Sequence, residues 1–282
     1  MVSEVVIANP ENLEEVKKKI AEEGKDKIHV LADFDRTLTR VSYKGERVPS
    51  LMAVLRDKKY LTEDYPEKAR ALAKKYYPME IDLNLPHKEK EKKMLGWWTK
   101  HNKLLIEGGL NKKDIENVAN SETLVLREGV ENFLRIMHEV NVPVMIMSSS
   151  GLGDAISIFL EKRNLLFDNI HIITNQFEFD NEGRATELKG QVIHVMNKSE
   201  ISTDDLPIHI ELLKRKNVIL LGDSLGDLGM VEGFEYDNLV NIGFLNFDVE
   251  EALKKYKENF DVVITNDGDF NFVNKLLNNI IK

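Results

Sequence analysis

Apolar residues fall at Leu13, Val16 and Ile20, behind Asn9 and Pro10, and this three-to-four spacing predicts an amphipathic helix that starts near Pro10. The pattern then changes. Ile28-His29-Val30-Leu31-Ala32 is a short apolar run cut off by Asp33, which reads as a buried strand that ends in a polar loop. Val142–Met147, followed by three serines, and Val218–Leu221, followed by Gly222-Asp223, repeat that arrangement. Helical stretches over Val130–Glu139, Ala155–Lys162 and Val249–Tyr256 alternate with these runs and predict an α/β fold with a parallel sheet, in which ligands gather at the strand carboxyl ends. Residues 41–119 break the alternation: they are rich in lysine, glutamate, leucine and tyrosine, have helical spacing, and show no convincing strand. They read as a helical module inserted after the first of these strands. The turn-rich end of Phe177–Gly183 predicts a hairpin.

Composition narrows the function without naming it. The chain has 282 residues, long enough for a sizeable core, with 39 lysines and arginines against 48 acids and a formal charge of −9. No basic tract offsets that charge, so nucleic acid is not the expected partner. The chain has no cysteine, which excludes disulfides, zinc-thiolate sites, iron–sulfur clusters and a cysteine nucleophile together. No long uncharged apolar run predicts a membrane span, and the early Glu4 and charged Glu11–Lys19 stretch do not read as a signal peptide. A cytoplasmic monomer is the expectation.

The chemistry concentrates where the strands stop. Asp33-Phe34-Asp35-Arg36-Thr37 places two carboxylates at one strand end, where one can attack as a nucleophile while the other handles a leaving-group proton. Alone, such a pair is more often a solvated turn or a helix cap. Gly222-Asp223-Ser224-Leu225-Gly226-Asp227 repeats the arrangement, and two such loops on adjacent strands would form an oxygen-rich pocket suited to magnesium. A phosphate substrate would further need donors and a fixed cation. The serines at 148–150, ahead of a helix, could supply the donors and Lys198 the cation, although a polar loop and a surface lysine are the plainer readings of each.

The order D-x-D-x-T, strand-ending serine, lysine, G-D-x-x-x-D resembles the phosphotransferases of the haloacid dehalogenase superfamily. The likeness extends to Ser42-Tyr43-Lys44-Gly45, Tyr76-Tyr77, Trp97 with Thr99-Lys100, Glu128–Phe133 and Lys189-Gly190 with Ile193-His194-Val195, and so points to the type III cytosolic pyrimidine 5′-nucleotidases. The resemblance implies a Rossmann-like core over residues 1–40 and 120–282, with a helical cap over 41–119 that closes on the substrate. It implies that Asp33 is the nucleophile that forms an aspartyl-phosphate, and that Asp35 protonates the departing oxygen and later activates water. Magnesium would be held by Asp33, the Asp35 carbonyl and Asp223, with Asp227 behind them or acting through water. Lys198 would neutralise nucleophile and phosphate, and Thr37 would steady the loop. Counting forward from Pro143 makes Ser148 the family serine, and counting back from Gly153-Asp154 makes it Ser149; Ser148 is favoured as side-chain ligand, with Ser149 giving its amide.

In the cap, Glu80 takes the place of the acid that reads the base, and Trp98 stands where a ring could stack on it. Trp97 reads equally as core. His101 replaces a serine of the family's base site. The implied reaction is hydrolysis of pyrimidine nucleoside 5′-monophosphates of the UMP and CMP type. Transfer of the phosphoryl group to a nucleoside, hydrolysis of 7-methylguanosine monophosphate or of another small phosphometabolite, and nucleotide binding without turnover are the alternatives.

Overall fold

The computed structural model describes residues 3–82, 85–198, 208–233 and 235–281. Helix α1 (Pro10–Glu23) starts where its spacing predicts: Asn9 accepts the Asn12 backbone N–H at 3.1 Å, and Pro10 fills the first turn. The apolar runs become strands β2 (Ile28–Ala32), β5 (Val144–Leu152) and β8 (Asn217–Gly222). Strands β1 (Val5–Ile7), β6 (Ile170–Phe179), β7 (Ala185–Lys189), β9 (Asn238–Leu245) and β10 (Val262–Thr265) complete one sheet in the order β1-β10-β9-β8-β2-β5-β6-β7. From β10 through β6 the pairs are parallel, whereas β1 and β7 are antiparallel edges. The expected hairpin is the β6–β7 pair.

Both faces of the central strands are covered, which explains why they read as unbroken apolar runs. Val30, Ile146 and Ile219 face a cluster shared with α1, α6 (Val130–Glu139), α7 (Ala155–Glu161) and α10 (Asn271–Ile280). Leu31, Met145 and Leu220 face the other way, toward α8 (His209–Leu212) and α9 (Val249–Lys257). Each such fully buried aliphatic side chain contributes about 1.5–3 kcal/mol.

Residues 41–119 hold a two-stranded ribbon, β3 (Ser42–Tyr43) with β4 (Glu46–Arg47), and helices α2 (Leu51–Asp57), α3 (Tyr65–Ile81), α4 (His87–Glu107) and α5 (Lys112–Ala119). The ribbon is an addition to the expected all-helical insert: Lys44 and Gly45 turn it at φ of 53° and 82°, and no apolar run announces it. Among the described residues the segment adds no strand to the large sheet. Its Leu51, Leu55, Leu105 and Val118 are nevertheless buried in the same cluster as Phe34 and Phe159, so the insert and the sheet share one core. No helix among the described residues is long and apolar enough to cross a membrane.

Register sets the site. Ala32 pairs with Ile146 on one side and with Leu221 on the other, so Asp33, the serines and Asp223 emerge from adjacent strand ends. One expectation changes here: β5 does not stop at Met147 but runs on through the serines to Leu152, with its register to β6 broken between Met147 and Leu152.

Candidate active site

Asp33 leaves β2 with its backbone N–H bonded to the Leu221 carbonyl at 2.9 Å, which fixes its carboxylate at the floor of the strand ends. Lys198 meets it there. The Lys198 ammonium, 2% exposed, donates to Asp33 Oδ1 at 2.6 Å, to Asp227 Oδ1 at 2.8 Å and to the Met147 carbonyl at 3.4 Å. Burial alone would discharge this lysine, but the Asp227 and Asp33 carboxylates outweigh it and raise its pKa. Burial pushes the Asp33 carboxyl upward, against the pull of Lys198.

Asp227 has both oxygens engaged by the protein: besides Lys198, it accepts the backbone N–H groups of Asp223 (3.1 Å) and Ser224 (2.9 Å) and the Ser224 hydroxyl (2.9 Å). Its carboxylate therefore braces Lys198 and the loop at residues 223–224. Gly222 permits this, because a Cβ there would overlap the Asp227 side chain. The Asp223 carboxyl is pushed well above the usual range by burial and by neighbouring Asp33 and Asp227. The Asp223 carbonyl accepts the Tyr256 hydroxyl at 2.7 Å.

Such crowding of carboxylates around one ammonium fits a divalent cation. No three acidic or histidine side chains among the described residues form a ligand set by themselves. Two carboxylates, Asp33 and Asp223, completed by the Asp35 carbonyl, are the oxygen donors that would hold magnesium.

Asp35 accepts the Leu51 N–H at 3.3 Å on Oδ1 and the Ser150 hydroxyl on Oδ2; burial raises its pKa and the Ser150 bond opposes that. Of the three serines offered as donors, Ser150 is the one whose hydroxyl meets Asp35. Residues two apart on a strand share a face, and Ser148 Oγ lies 3.5 Å from Ser150 Oγ. Ser149 faces the other way, with its carbonyl bound by the Asn175 side chain at 3.0 Å.

The loop after Asp33 is held from behind by Arg127, a residue the sequence reading missed. Its guanidinium, 1% exposed, donates to the carbonyls of Arg36, Thr37 (2.9 Å), Thr39 (3.4 Å) and Gly268 (2.7 Å) and to Asp267 (3.0 Å). It ties down a loop that passes through a left-handed residue, Arg36, at φ 65°. The Thr37 hydroxyl makes no hydrogen bond among the described residues, so its steadying part falls to its backbone carbonyl.

The cap contributes differently. Glu80, near the end of α3 and half-buried, is pushed up to about 7 by burial; Lys198, Arg36 and Lys90 pull it down and Asp227 pushes it up. Tyr76 stacks on Trp97 (ring centroids 6.0 Å apart), Trp97 on Trp98 (5.9 Å) and Trp98 on His101 (5.5 Å). Trp98 and His101 are thus buried inside the stack, with His101 Nε2 3.0 Å from the Tyr65 hydroxyl, and no contact joins either to the carboxylates among the described residues. Trp97 is the ring that packs with Val195 and Met196, next to Lys198.

A mostly parallel sheet with an aspartate just past its central strand, a lysine-paired aspartate in the turn after the neighbouring strand and a helical insert after the first of these defines a phosphoric monoester hydrolase of the haloacid dehalogenase fold. Comparison with known proteins agrees. The chain shares that fold with a substrate-bound phosphoserine phosphatase (TM-score 0.54, 19% identity, 88% of this chain and 96% of that one). It matches a crystal structure of cytosolic 5′-nucleotidase IIIB bound to cytidine far more fully, with TM-score 0.89, 28% identity, and 98% and 93% of the two chains covered. A human 7-methylguanosine phosphate-specific 5′-nucleotidase is 36% identical over all of this chain and 94% of its own length. A putative cytosolic 5′-nucleotidase 3 of Caenorhabditis elegans is 31% identical over 97% of this chain and 74% of its own. The family model for pyrimidine 5′-nucleotidase (UMPH-1) matches residues 36–281, and the chain belongs to that family.

Proposed function

We propose that this 5′-nucleotidase hydrolyses 7-methylguanosine and cytidine 5′-monophosphates in preference to UMP, in the cytosol, through an aspartyl-phosphate on Asp33. The observation that carries the base preference is Glu80, a half-buried carboxyl near the end of α3 whose pKa is raised by burial and lowered by the charge of Lys198 and Arg36. An ionised carboxylate can accept two N–H donors from a guanine edge, and the positive charge of a 7-methylated guanine adds attraction to the carboxylate and to an aromatic face. The cytosine amino group is one donor to the same carboxylate. Uracil instead offers an N–H flanked by two carbonyls, which repel it. The names of the human relative and of the cytidine-bound structure support the same two bases.

In the first step an Asp33 oxygen bonds to phosphorus while the bond to the 5′ oxygen breaks, and the Asp35 carboxyl delivers its proton to that oxygen. In the second, Asp35 takes a proton from water as the water oxygen bonds to phosphorus, and Asp33 is released with inorganic phosphate. Lys198 holds Asp33 in position and balances phosphate charge, Ser148 offers its hydroxyl to the phosphate oxygens, and Ser150 donates its hydroxyl hydrogen to Asp35. Asp33, Asp223 and the Asp35 carbonyl would hold magnesium, which would supply the positive charge that lets a carboxylate approach a phosphate. Phosphate release from a panel of nucleoside monophosphates, with magnesium and with chelator, tests the reading. Equal kcat/KM for UMP, CMP and 7-methylguanosine monophosphate would overturn the base preference, and turnover indifferent to chelation would overturn the metal.

A further inference from the structure

The donor serines and Lys198 sit on separate segments, and one buried side chain joins them. Asn175, on β6 and 2% exposed, donates from Nδ2 to the Ser149 carbonyl at 3.0 Å and to the Ile193 carbonyl at 2.9 Å, while its Oδ1 accepts the Ile193 N–H at 2.9 Å. The same Oδ1 lies 3.5 Å from the Asn102 side-chain amide of α4, and Asn102 is itself buried. Asn175 is the residue at which β5–β6 pairing resumes, opposite Leu152, and its side-chain amide reaches back to the serines that lie in the break between Met147 and Leu152.

From Ile193 the chain runs to Lys198 through a tight turn. The N–H groups of Asn197 (3.0 Å) and Lys198 (3.2 Å) both bond the His194 carbonyl, so fixing residue 193 fixes the lysine. We propose that Asn175 is a positioning residue that sets the spacing between the serine strand end and the lysine loop and ties both to cap helix α4. This rests on the reading above, in which Ser148 and Lys198 hold the phosphate. Both amide hydrogens and both lone-pair directions of Asn175 are used, so no other side chain of its size reproduces the pattern. Aspartate has the same shape but replaces two donors by acceptors that face two carbonyls.

Asn169 supplies a matched control. It is also buried, next to the amino-terminal end of β6, and its Nδ2 donates to the β5-side carbonyl of Val142 at 2.7 Å, at the opposite end of the sheet from the serines. Asn175→Asp and Asn175→Ser are compared with Asn169→Asp in the full chain with magnesium. The measurements are thermal midpoint, kcat and KM for CMP, and calorimetric affinity for orthovanadate (the phosphate side) and for cytidine (the base side). We expect both Asn175 variants to lose about 10- to 100-fold in vanadate affinity and in kcat/KM, with cytidine affinity within about twofold. Asn169→Asp should lower the midpoint while kcat, KM and both affinities stay at wild-type values. Folded Asn175 variants with wild-type vanadate affinity and kcat would overturn the proposal. So would Asn169→Asp losing vanadate affinity as they do, since the effect would then be general loosening of the sheet. If Asn175→Asp does not fold, Asn175→Ser decides by the same two measurements. A wild-type chain that binds vanadate but turns over no nucleotide would overturn the function proposed above and leave the positioning role to be decided by vanadate affinity alone.

Discussion

The floor of the site and its roof are built on opposite physical plans. At the floor, Lys198 alone makes three hydrogen bonds, Asp227 accepts four, and Arg127 grips the loop that follows the nucleophile. The roof is an aromatic stack in which the indole N–H groups of Trp97 and Trp98 are buried without a partner among the described residues. Buried polar networks fix one geometry because any displacement strands a charge, whereas ring stacks hold by area and tolerate sliding. The contrast suits the proposed function, in which the chemistry needs a fixed distance and falls to the floor while the choice of base falls to the roof.

The largest effect should come from the floor. Asp33→Asn leaves the shape intact but removes the nucleophile, and kcat should fall about 10⁴-fold or more, measured as phosphate release under saturating substrate. The Tm should hold or rise, because burial already disfavours the charge on Asp33. A variant retaining a tenth of the activity would end the assignment. Next comes the lock on the loop. Arg127→Leu strands the buried Thr37 and Gly268 carbonyls and takes one charged partner from Asp267, which keeps Arg40 and the N–H groups of Val41 and Ser42, and should cost about 3–5 kcal/mol by urea unfolding, together with most of kcat. A loss below about 1 kcal/mol would mean that the floor is no more rigid than the roof.

The same contrast explains what could be read from the chain. The strands that carry the carboxylates are buried on both faces and end abruptly, so β2, β8 and the residues at their ends were legible to within a residue. Strands β1, β9 and β10 were not: Val5–Ile7 spans three residues, and β9 mixes asparagines into its apolar pattern. Lys198 was legible only through the order of motifs, since nothing local separates a buried lysine from a surface one. Arg127 and Asn175 escaped because their partners lie 90 and 26 positions away, and a hydrogen bond across such distances leaves no mark in spacing. In the roof, Trp98 and His101 have the helical spacing of one face, but spacing does not say which ring of a stack meets a ligand and which meets another ring.

The roof should yield smaller and more selective effects. Glu80→Gln keeps the size of the side chain but replaces one acceptor oxygen by a donor. Discrimination for 7-methylguanosine monophosphate over UMP should shrink about 10- to 100-fold in kcat/KM, the worth of one or two charge-assisted hydrogen bonds. Activity on a small phosphate ester that does not reach the cap should hold. Equal loss on every substrate would move Glu80 from the roof to the floor.

The smallest effect is the pH response of that carboxyl, and it has a definite sign. Burial holds Glu80 near 7, so it passes from mostly protonated to mostly ionised between about pH 6 and pH 8. Protonated, it can donate to the ring nitrogen of cytosine and accept from its amino group; ionised, it keeps the second bond but sets a charge against the ring nitrogen's lone pair. Cytidine, which carries no phosphate and does not titrate in this range, should therefore bind about three- to tenfold more weakly as pH rises through 7. Glu80→Gln should flatten the profile, since an amide does not titrate. Linkage gives the matching stability slope: the folded chain holds a proton that the unfolded chain releases near 4.5, so stability falls as pH climbs from there toward 7, and the variant should lose that part of the slope. Cytidine affinity that is flat with pH in the wild type would leave the carboxyl without a part in reading the base.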